Sequence, residues 1–291
     1  MFTPTPLQTQ LLKAVQNLSA DNRRLINRSH ADGNDRLPAV TQAHIEVSIR
    51  AREHLEDVSI AVGIPRSIVD YHRVAGERGS GFEPGQPMLS TEFIARGTLL
   101  AGYQALVHDL QDAAGIGATS AARGHLGRTA FGDFRRVIGV RWQRTGAIAH
   151  ALELTAVERS AVWTRGATAW QAVVAEKFTA LDTAALTRRL NEITRTDFSA
   201  AAVPVVVLQA AGIGPDDIAA QMPASPDQMV KLATHAVSEM TRQTALKTTG
   251  ERIDAAIDAV GNDSRDDSEP EPHRDPGPGL APKSTEAGRD P

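Results

Sequence analysis

The chain has 291 residues, 41% of them apolar but only 4% aromatic, and no cysteine. This excludes disulfides, thiolate metal sites and thiol nucleophiles, and it disfavours an aromatic-rich β-sandwich. The net charge of −4 lies wholly in residues 261–291, where eight acids face four bases; the remaining 27 bases and 27 acids cancel, so the body gives no global attraction for nucleic acid.

The N-terminal stretch MFTPTPLQTQLLKAVQNL has neither a basic n-region nor an unbroken apolar run, so a signal peptide is not expected. No segment approaches eighteen apolar residues, so no membrane span is expected and a cytoplasmic protein is the default. Residues 6–26 read as an amphipathic helix with Leu7, Leu11, Val15, Leu18 and Leu25 on one face. Polar turn formers at 28–35 break it. Leu37–Val62 reads as a second helix, with Val40, His44, Val47, Ala51, Leu55, Val58 and Val62 at steps of three and four. Gly63 stops this helix, and Pro65 suits the first turn of the next, which should reach about Ala75.

Residues 76–89 read as a Gly/Pro linker. Ser90 is the expected cap of a helix over 91–113 with Phe93 on its inward stripe, and AAGIGATSAARGHLG, 113–127, reads as a glycine-punctuated loop. A helix over 130–154 carries Phe131, Phe134, Val137, Ile138, Trp142 and Ile148. Thr155 and Glu158 form a capping box for a helix reaching about Ala180, and Asp182 caps another. Residues 90–195 should thus form a bundle of four helices. The run at 199–211 reads as a buried helix with Pro204 in its first turns. A corner at Gly212–Pro215 leads to a short helix, and a last helix from Ser225 or Asp227 to Val260 is expected to be broken near Gly250. Residues 261–291, acidic and with six prolines, read as disordered. The expected fold is all-α: an N-terminal helical hairpin over 1–75, a bundle over 90–195, a small helical region over 196–260, and the tail.

Three features carry candidate chemistry. In DVSIAVGIPRSIV, residues 57–69, Ser59, Gly63, Ile64 and Val69 fall where a helix-turn-helix needs a small residue, a turn glycine and apolar packing positions. Over these thirteen residues the stretch resembles the helix-turn-helix of lac-type repressors. The resemblance implies that Arg66, Ser67, Asp70 and Tyr71 face a major groove. His72 stands where that motif expects a core aliphatic, and residues 50–80 balance five bases with five acids. The alternative is a glycine-capped corner between packed helices.

The second feature is the most basic segment, 119–146, where Arg123, Arg128, Arg135, Arg136, Arg141 and Arg144 face the single acid Asp133. Guanidinium forks suit phosphate oxygens, so DNA or another polyanion is the expected partner of such a face, unless these arginines pair with acids on neighbouring helices. The third is His108-Asp109 in ALVHDLQD. It resembles the all-helical HD phosphohydrolases, which implies a metal held by His72, His108 and Asp109, with Asp182 or Asp197 as a last ligand.

No phosphate loop, H-E-x-x-H or G-x-S-x-G pattern is present, and no cofactor is expected. The leading expectation is a non-enzymatic helical interaction protein. DNA association and self-association through the amphipathic helices are the partner classes. An HD-like enzyme and a scaffold without nucleic-acid binding are the alternatives.

Overall fold

In the computed structural model of the chain, the described residues are 2–33, 36–83, 92–163, 166–177 and 181–263. They form eleven helices and no strand: α1 (Pro6–Ala31), α2 (Ala39–Ala61), α3 (Arg66–Glu77), α4 (Arg96–Ala122), α5 (Arg128–Ala151), α6 (Ala156–Val162), α7 (Gly166–Lys177), α8 (Thr183–Thr194), α9 (Phe198–Ala210), α10 (Pro215–Gln221) and α11 (Pro226–Asp263). The all-α reading is correct. Of the tail expected over 261–291, residues 261–263 belong to α11 and 264–291 lie outside the described residues, as does Ser90.

Local chemistry sets the helix ends. Thr5 opens α1 through a capping box with Gln8, and Thr155 opens α6 through the box with Glu158. Asp182 caps α8 by accepting from the Ala185 N–H. Gly63 takes φ +91, and the Ile64 N–H reaches back to the Ser59 carbonyl, closing α2 in a Schellman turn. The corner after α9 repeats this device: Gly212 has φ +101 and the Ile213 N–H donates to the Leu208 carbonyl.

Several expectations need correction. The segment 113–127 is not a loop up to residue 122, because α4 runs on to Ala122. Residues 113–120 are all buried, and Gly117 sits so close to the Phe134 ring that a Cβ there would lie 2.3 Å from Cζ. Close helix packing on α5 outweighs the low helix propensity of glycine. The helix expected to reach Ala180 is two helices, α6 and α7, so 90–195 holds five helices rather than four. α11 passes Gly250 without a break. Val40 and Phe93 are 83% and 89% exposed: Val40 lies in the first turn of α2, and Phe93 precedes α4, so neither joins the inward stripe expected of it.

Residues 1–242 form one compact unit and 243–291 a second. Within the first, a single apolar cluster joins Leu11 and Val15 of α1, Leu55 of α2, Ile64, Tyr103 and Leu110 of α4, Phe134 and Ile148 of α5, Leu186, Leu208, Ile218 and Met229. The segments read separately from sequence as 1–75, 90–195 and 196 onward share this core up to residue 242. α3 lies against α1 at a point where Gly76 is required: a Cβ there would come 2.3 Å from the Gln16 carbonyl oxygen. α9 packs on α2 and α5. The second unit contributes, among its described residues, the helical stretch 243–263.

Candidate functional site

The corner at Gly63 buries the small and apolar positions singled out in the sequence. Ser59 and Ile64 are fully buried and Val69 nearly so. Arg66, Ser67 and Tyr71 point to solvent from α3. Their surroundings are acidic as well as basic. The Ser67 hydroxyl donates to Glu92, 2.7 Å away, and Arg73 pairs with Asp70, Glu77 and, at 3.9 Å, Glu56. Arg52 joins the same network through Glu56 and Glu77. The charges between α2 and α3 are therefore largely answered within the fold.

His72 is wholly buried. Its Nδ1 lies 2.6 Å from Gln16 Oε1, while Gln16 Nε2 donates to the carbonyls of Ser80 and Gly81. Because the Gln16 oxygen can only accept, Nδ1 must carry the proton. Nε2 is left buried without a partner, and burial pushes the imidazole below its ordinary value. The residue that departed from the sequence motif is thus a core histidine tying α3 to α1.

Of the residues implied for a metal site, His108 and Asp109 are exposed on α4, whereas His72 is buried. Asp182 and Asp197 are spent as helix caps, and Asp197 also binds Arg50. Among the described residues no group of three or more His, Asp or Glu could hold a metal ion.

The arginine segment does not form one face. Arg123 is exposed, and its guanidinium donates to the Leu181 carbonyl at 2.7 Å. Arg135 pairs with Asp227 at 2.6 Å, and Arg136 with Asp133. The side chain of Arg128 lies outside the described residues. Trp142 is half-buried and donates its indole N–H to the Ala224 carbonyl at 2.7 Å, so it is a packing residue.

Arg141 and Arg144 behave differently. Both are half-buried and line a partly enclosed cavity between α2, α5 and α9, together with His54, Val137, Val140, Thr196, Phe198 and Ala201. Among the described residues neither guanidinium makes an ion pair or a hydrogen bond. Burial lowers the pKa of both. Arg141 pushes that of Arg144 down further, against a weaker pull from Asp57 and Asp109. The sequence grouped these two with the surface arginines because nothing local to α5 tells which of its faces meets α9.

No family model matches the chain, and no characterised protein or solved structure matches it. Function is therefore argued from this geometry.

Proposed function

We propose that the chain is a non-enzymatic helical interaction protein that self-associates through the last part of α11. One observation carries this reading. Leu246, Ile253 and Ile257 are 67%, 55% and 63% exposed, and their spacing of seven and four places them on one stripe of a continuous helix. Large apolar side chains at such spacing are the seam of helix pairing. Lys247, Glu251, Arg252 and Asp254 bring both signs of charge beside the stripe, so a second copy of the same helix is electrostatically compatible. Six side chains buried across such a pair contribute on the order of 10 kcal/mol before the cost of association. That cost is of similar size, roughly 4–15 kcal/mol, so the pairing is weak and concentration-dependent.

Sedimentation velocity of the full chain over a range of concentrations tests this. The wild-type chain shifts toward dimer as concentration rises. A variant carrying Leu246→Gln, Ile253→Gln and Ile257→Gln stays monomeric with an unchanged circular-dichroism spectrum. A wild type that is monomeric throughout removes the proposal.

The exposed Arg66, Ser67 and Tyr71 on a glycine-capped corner support a second reading, association with DNA through α3. Fluorescence anisotropy with a random duplex at about 50 and 200 mM salt examines it, because phosphate contacts must weaken steeply over that range. Arg66→Ala and Arg135→Ala then separate α3 from the surface arginines of α5. Absence of binding at low salt assigns the Gly63 corner to architecture alone.

A further inference from the structure

We propose that Arg141, Arg144 and His54 form a binding site for a small tetrahedral oxyanion of the phosphate type, independent of both interfaces above. The cavity they line measures about 110 Å³. At roughly 30 Å³ per water this is space for three or four water molecules, which matches one compact oxyanion. Pockets for larger organic ligands are usually about 300–1,000 Å³, so the size selects an inorganic anion or the terminal phosphoryl group of a slender molecule.

The chemistry of the walls points the same way. Two guanidiniums three residues apart on one helix face repel each other. Arginines held in a fold are ordinarily answered by carboxylates, as Arg50 is by Asp197 and Arg96 by Glu158. Here Asp57 and Asp109 act only from beyond ion-pair distance. A dianion between the guanidiniums would accept their N–H groups and cancel the repulsion. His54 faces the same space from α2. Burial and Arg144 hold its pKa below the ordinary 6.5, with Arg141 adding to them and Asp57 and Glu53 opposing. Near neutral pH it is therefore an uncharged imidazole able to donate one N–H. Thr196, just before α9, also lines the cavity, and Val137, Val140, Phe198 and Ala201 supply apolar wall.

The test is isothermal titration of the full chain with inorganic phosphate, with chloride at matched ionic strength as the control, and with glycerol phosphate as a third arm. Saturable one-to-one binding of phosphate at about 1 mM or tighter is expected, with no heat from chloride beyond dilution. Rejection of glycerol phosphate assigns the site to the free anion; comparable binding assigns it to a phosphoryl end group. Arg144→Gln should weaken binding at least tenfold, whereas Arg135→Gln, at an exposed ion pair, leaves it unchanged. Arg144→Gln removes an unpaired, half-buried cation, so it should fold at least as well as the wild type. Thermal unfolding of the wild type alone provides a second measurement: phosphate raises the melting temperature in a dose-dependent way that chloride does not reproduce. Absence of saturable phosphate binding together with equal melting temperatures in phosphate and chloride overturns the proposal. Equal phosphate binding by the wild type and Arg144→Gln overturns it as well.

Discussion

Replacing His72 with leucine should make the protein less sensitive to acid. In the folded chain the only free nitrogen of this imidazole, Nε2, is buried with no acceptor in reach. Protonation there would place a charge in an apolar setting, and burial accordingly lowers the pKa from its ordinary 6.5. Below that value the unfolded chain takes up a proton that the folded chain refuses, so stability is complete above about pH 6.5 and falls as pH falls. Between about pH 7.5 and 5.5 the loss from this one group is at most about 1.4 kcal/mol, the limit in which the folded chain takes up no proton there while the unfolded chain does. His54, also lowered, adds in the same direction, and Glu56, raised by burial, opposes it; both remain in the variant. His72→Leu also orphans the Gln16 oxygen, which costs about 1–3 kcal/mol at any pH. The variant is thus less stable at pH 7.5, yet loses less on acidification. Urea unfolding of both proteins at the two pH values gives the difference of differences, expected at about 1 kcal/mol. Equal losses in the two proteins would refute the assignment of Nε2 as a buried, unprotonated nitrogen.

Backbone packing supplies three further expectations. Gly117→Ala drives a Cβ to 2.3 Å from the Phe134 ring, which is itself fully buried; overpacking of this kind costs about 1–3 kcal/mol, and a urea midpoint equal to wild type contradicts it. Gly76→Ala meets the Gln16 carbonyl and the Ser19 Cβ at 2.3 and 2.6 Å. Backbone yields less than a ring edge, so the loss should exceed that of Gly117→Ala, and the opposite order would count against a rigid α1–α3 contact. Glu153 has φ +50 and is the one non-glycine residue with positive φ among the described residues. Glu153→Gly should raise the melting temperature by relieving up to about 1 kcal/mol of left-handed strain, and a lower melting temperature would show that its side chain compensates.

The parts of this fold that sequence discloses are those fixed within four or five residues. Thr155 with Glu158, Asp182 before its helix, and the glycines at 63 and 212 each act on backbone groups one turn away, so their chemistry is visible in the string. What escapes is decided at long range. The glycines at 115 and 117 read as a loop because glycine is a poor helix former in isolation. At Gly117 the approach of Phe134, on another helix, supplies the reason for a glycine inside one. The break expected at Gly250 fails for the same reason in reverse, since a single glycine costs a helix only about 1 kcal/mol.

The six arginines between 123 and 144 show how far this limit matters for function. In the sequence they are one basic cluster against one acid. In the fold, Arg135 finds its partner 92 residues away, in Asp227, and Arg123 finds the Leu181 carbonyl 58 residues away. Arg136 is answered locally, by Asp133. Charge counting along the chain therefore overstates the basic surface. Arg141 and Arg144 have no carboxylate within ion-pair distance among the described side chains, Asp57 and Asp109 acting on them only from farther away, and they line the cavity between α2, α5 and α9. A guanidinium in water needs no partner, because solvent satisfies it. A half-buried pair lining a cavity of about 110 Å³ has lost much of that solvent. The distinction that bears on ligand binding is thus not the number of arginines in the segment but which of them the packing of α2, α5 and α9 has deprived of both water and carboxylate.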